Sequence, residues 1–125
     1  MFDLSPDEAR LLLNVALMAT GQNRYQSATR ILAALERFRP KNESLAVAKA
    51  VLMISMREFA MAVDYIDSSA LVDHPGSAML KAFRGMALIR LEDRGGAEEC
   101  LREAAASSDA AAANLAKCLL EGVRS

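Results

Sequence analysis

The chain of 125 residues has no tryptophan, one histidine, two cysteines and three prolines, and aromatic residues make up 5% of it. Each scarcity excludes something. Cys100 and Cys118 stand 18 positions apart among apolar neighbours at helical spacing, which makes neither a metal site nor a disulfide framework, so reduced thiols in a cytosolic setting are expected. The lone His74, in "DHPG", falls in a turn and has no companions with which to act as a base or hold a metal. Charge excess is lacking as well. Fifteen basic and sixteen acidic side chains give a formal net charge of −1, spread along the chain, so no footprint for nucleic acid or anionic lipid stands out. The densest basic spot, Arg37, Arg39 and Lys41, reads as a helix end, where cations complement the dipole.

Long hydrophobic runs are missing too. No uncharged apolar stretch reaches the roughly 18 residues of a membrane span, and the opening "MFDLSPDEAR" lacks the basic flank and apolar core of a secretory signal. Gly95 and Gly96 lack the strand and lysine that a phosphate-cradling loop requires. Paired carboxylates such as Asp64 with Asp67 and Glu99 with Glu103 read as solvated or ion-paired surface groups, Glu99 having Arg102 within reach. With every catalytic constellation missing, no enzyme activity, cofactor or metal is expected.

What is present is helix-forming. Alanine, leucine, arginine and glutamate dominate, apolar residues recur at intervals of three and four, and no alternating β-branched run occurs, so the class is all-α. Ser5, Pro6 and Glu8 spell a capping box at the first helix start. Asn42, Ser77 and Asp109 are set to cap later helices, and Gly122 sits where the last should stop.

The chain also matches itself. Ala16, Ala50 and Gly85 are separated by 34 and 35 positions, and Ala28, Ala62 and Ala97 follow them at a constant interval of 12. Four residues further on stand Leu32, Ile66 and Leu101, and the units close near Pro40, Pro75 and Asp109. Tyr25 and Phe59 share a place just after a turn. Close helix packing explains the pattern, because a small residue is needed where two helices approach and bulky ones fill the space around it.

This spacing resembles the tetratricopeptide repeat, an antiparallel helix pair. Departures exist: Leu35 and Ser69 stand where the family has a small residue, and Arg94, Gly95 and Gly96 where an aromatic belongs. The resemblance implies one domain over residues 1–125, a right-handed α-solenoid of three helix pairs at about 6–40, 43–75 and 77–109, closed by a capping helix at about 109–122.

The resemblance further implies that the first helix of each pair lines a concave face. The inward positions are then Arg10, Leu13, Leu17 and Thr20; Ser44, Val47, Val51 and Ile54; and Met79, Ala82, Met86, Ile89 and Arg90. They are mostly apolar, which suits the non-polar face of a partner's amphipathic helix or an extended apolar segment and excludes a cationic clamp for a chain-end carboxylate. The expected partner-binding groove is Leu13, Leu17, Val47, Val51, Ile54, Met79, Ala82, Met86 and Ile89. Met79 and Met86, a heptad apart, add adaptable thioethers. The C-terminal helix or a second copy in a homodimer could fill the same strip. In layout the chain is similar to the small cytoplasmic bacterial chaperones of type III secretion systems, of the needle-subunit and export-gate-associated classes. That likeness implies a protein partner, an amphipathic helix of a secreted subunit, with a small co-chaperone compatible with the complex. The alternative is a general scaffold or a self-associating unit.

Overall fold

A computed structural model describes residues 4–124, so the first three residues of the acidic opening stretch lie outside the described residues. The described chain forms seven helices and no strand: α1 Pro6–Gly21, α2 Tyr25–Phe38, α3 Glu43–Ser55, α4 from Phe59–Tyr65 through Ile66–Ala70 to Leu71–Asp73, α5 Ala78–Arg90, α6 Arg94–Ala105 and α7 Ala110–Arg124. Their starts are where the sequence puts them. The Ser5 hydroxyl accepts from the Glu8 amide and the Glu8 carboxylate from the Ser5 amide, both at 3.2 Å. Asn42, Ser77 and Asp109 accept from the amides of Leu45, Leu80 and Ala112 at 3.0, 3.3 and 3.2 Å. The final stop differs from expectation, because α7 runs past Gly122 to Arg124 and buries Val123 against the core.

Packing divides the chain into two compact units, Met1–Arg57 and Glu58–Ser125. In the first unit α1 packs on both α2 and α3, and α2 on α3. Ala16, Ala28, Leu32, Leu35, Leu45, Ala48 and Leu52 form its core. In the second, α5 is the central helix, packed by α4, α6 and α7, and the core gathers Ala82, Ala97, Leu101, Ala104, Ala116 and Leu120.

The small residues do what their spacing implies. Ala16, Ala28, Ala50, Ala62, Gly85 and Ala97 are all buried. At Gly85 the approach leaves no room for a side chain: a Cβ there would stand 2.7 Å from Cγ and Cδ2 of Leu101 and 3.4 Å from the Ala97 carbonyl oxygen.

Two features have no plain signature in the sequence. After α1, α3 and α5 the backbone turns through a left-handed residue, Asn23, Arg57 and Glu92, with φ of 62°, 63° and 64°. These residues lie 34 and 35 positions apart, in step with the small residues. In the first and last of these turns the hydrogen bonds are those of a Schellman cap: Arg24 N–H to Ala19 O at 2.8 Å with Asn23 N–H to Thr20 O at 3.1 Å, and Asp93 N–H to Leu88 O at 2.9 Å with Glu92 N–H to Ile89 O at 3.0 Å. Such a turn normally favours glycine, and none is used here.

The second is the π segment Ile66–Ala70 inside α4. Leu32 and Leu35 are three residues apart and buried, as are Leu101 and Ala104, but in α4 the buried pair is Ile66 and Ala70, four apart. The wide turn takes up one extra residue, which accounts for the 35-residue interval. Ser69, which spacing puts at the small position, is therefore exposed, and Ala70 occupies the small buried place.

Candidate functional site

The expected binding strip is built in two parts, one per unit. In the first, Val47, Val51 and Ile54 follow one another at intervals of four and three along one face of α3 and are half-buried. Leu13 on the adjoining α1 is half-buried against the first core, and Leu17 is 38% exposed. In the second unit Met79 and Met86 are half-buried on α5, and Ile89 packs against the second core while keeping part of its surface open.

Two inward assignments need correction. Ala82 is fully buried in the second core, in a cluster that includes Ala116 of α7, and offers no contact surface. Thr20 is buried because its hydroxyl donates to the Ala16 carbonyl at 2.9 Å, the usual way a threonine satisfies itself inside a helix. Arg90 stays exposed, with its guanidinium carbon 5.9 Å from the centre of the Phe59 ring.

Polar side chains mark the ends of these strips. Arg10 and Ser44 line a cavity of about 200 Å³ with Leu13, Leu35, Arg39 and Leu45. Arg39 donates to the Leu4 carbonyl at 2.9 Å, so this basic spot tacks down the start of α1. Tyr25 does the same for the α3 end, its hydroxyl donating to the Ser55 carbonyl at 3.0 Å.

Several acidic residues are engaged in ion pairs, some with unexpected partners. Arg102 pairs with Glu98 one turn earlier at 3.0 Å, where Glu99 was the expected mate. Lys81 meets Glu103 at 3.3 Å, and Arg84 grips Asp67 through Nε and Nη2 at 2.6 and 3.2 Å. The hydrogen bonds that Arg84 donates to Asp67 raise the Arg84 pKa. Arg84 also donates to Cys100 Sγ at 2.7 Å. Burial pushes the Cys100 thiol up, an effect the neighbouring Arg84 charge opposes. Both cysteines are free, Cys100 buried and Cys118 exposed. No group of three or more metal-ligating side chains converges among the described residues, and no described helix is long and apolar enough to cross a membrane.

No known family model matches the sequence, and no curated protein is a significant match to it. Among solved structures, the first TPR of Spaghetti (RPAP3), bound to the HSP90 peptide SRMEEVD, is similar over 100% of both chains, with a TM-score of 0.70 and 16% sequence identity. That likeness shows the fold, an all-α helical solenoid of the tetratricopeptide type.

Proposed function

We propose that the chain is a cytoplasmic bacterial chaperone for a secreted protein, and that it covers an amphipathic helix of that partner with the apolar strips on α1, α3 and α5. The finer reading is a type III secretion chaperone of the needle-subunit or export-gate-associated class. One observation carries it: Val47, Val51, Ile54, Met79, Met86 and Ile89 recur at helical spacing on these helices and keep apolar surface open. A helix laid against such a strip reads it at intervals of three and four. The TPR relative was solved with a bound peptide, which supports protein binding rather than enzyme activity as the task of this chain. The occupant differs in character, since the positions expected to face it are apolar here.

Removal of the partner's apolar surface from water would stabilise the complex and block that partner's own assembly until export. The test is a pull-down of the tagged chain from its native cytosol with identification by mass spectrometry, repeated with Val51→Asp and with Met86→Asp. A small helical secreted protein should be recovered and fall at least about tenfold in both variants, with far-UV circular dichroism unchanged, because a buried carboxylate is costly. Met61→Asp, at an exposed site on α4, should retain it. Recovery of large folded partners that all three variants keep would point to a general scaffold acting through its outer surfaces.

A further inference from the structure

Eight large apolar side chains are exposed among the described residues, and four of them, Leu11, Val15, Leu17 and Met18, are on α1. Chance scatter would not collect half of them on one helix. Leu17 lies with the binding strip, but Leu11, Val15 and Met18 form a separate stripe along α1 and are 64%, 41% and 63% exposed. The stripe is turned away from the side of α1 that carries Ala16 and Ala19 into the first core. In stacked helix pairs an edge like this is buried by a neighbouring pair, and a free end normally shows a polar face.

The charges around the stripe say what fits it. Asp7 and Glu8 occupy the first turn of α1, its last turn carries no charged side chain, and the exposed Arg24 follows its C-terminal turn. A parallel second copy would set acid against acid. An antiparallel copy, related by a two-fold axis near Val15, sets each Asp7 and Glu8 toward the other copy's Arg24 end and opposes the two helix dipoles favourably. The apolar order is close to symmetric in the same sense: with Val15 against its own equivalent, Leu11 falls within one residue of the second copy's Met18. Such a surface is self-complementary, as a two-fold interface must be.

We propose that α1 is a self-association surface through which two copies of this chain pair, antiparallel, along Leu11, Val15 and Met18. The stripe offers on the order of 300 Å² per copy against the roughly 800 Å² per partner of a standard stable interface, so the pair is weak, with a dissociation constant on the order of 100 µM. This inference does not rest on the groove, whose residues the stripe leaves free.

Sedimentation of the full chain from about 5 to about 500 µM tests it. The mass should rise from one chain toward two, and Val15→Glu should hold it at one chain with unchanged circular dichroism. Asp7→Lys should weaken pairing several-fold, and adding Arg24→Glu to the same chain should restore it, which a merely sticky helix would not do. A mass of one chain at every concentration, a Val15→Glu variant that pairs like the parent, or no restoration by the double change overturns the proposal.

Discussion

The second unit is finished by a helix and the first is not. α7 gives Ala116, Leu120 and Val123 to the core it covers and turns Asn114, Lys117 and Glu121 outward. α1 also buries one side, through Ala16 and Ala19, yet its far side carries Leu11, Val15 and Met18. Both helices are rich in alanine and leucine, so composition does not distinguish them. What makes α7 a cover is the polar character of the residues it shows to water.

The same change at the two helices should therefore have opposite weight. Leu120→Asp places a carboxylate in a packed site and should cost about 3 kcal/mol or more of stability. Leu11→Asp should stay within about 0.5 kcal/mol. Urea unfolding at low micromolar protein measures both, and equal losses would erase the distinction between the two helices.

A second contrast lies within the units. Deleting Ala34 from α2 would draw Leu35 out of step with Leu32 and should cost about 2–3 kcal/mol, comparable to losing a core side chain. Deleting Ser69 from α4 would remove the extra residue of the π segment and leave Ile66 and Ala70 three apart, as their counterparts are. That deletion should change stability by less than about 1 kcal/mol. If it unfolds the chain instead, the wide turn has a structural task beyond accommodating length. The smallest effect belongs to the turns: Glu92→Gly, at a φ of 64°, should raise stability by about 0.5–1 kcal/mol, read as a shift in the unfolding midpoint.

Much of this was legible from residue spacing. Side chains that cap helices announce themselves, because Ser5, Asn42, Ser77 and Asp109 are short acceptors placed before apolar periodicity. The small residues were readable for a similar reason, since Gly85 against Leu101 tolerates nothing larger. The left-handed turns were not, because Asn23, Arg57 and Glu92 give no common chemical sign of a backbone conformation. The π segment escaped because an extra residue in a repeat is ordinarily assigned to a loop, and Ser69 beside Ala70 leaves the register ambiguous by one. Periodicity alone puts Ala82 and Thr20 in the lining, because it gives direction to within about one residue and only the tertiary neighbours decide on which side of the boundary a small side chain falls.

Every helix packing described joins elements that are next to each other in the chain or separated by one helix. Ordering then proceeds through short loop closures, each compensated soon after it is made by the contacts it brings, which favours rapid folding. It also makes opening local. The end of α7 can come away from α5 and α6 without disturbing α1 against α2, so amide protection should fall off toward Arg124 in steps of a helix rather than collapse all at once.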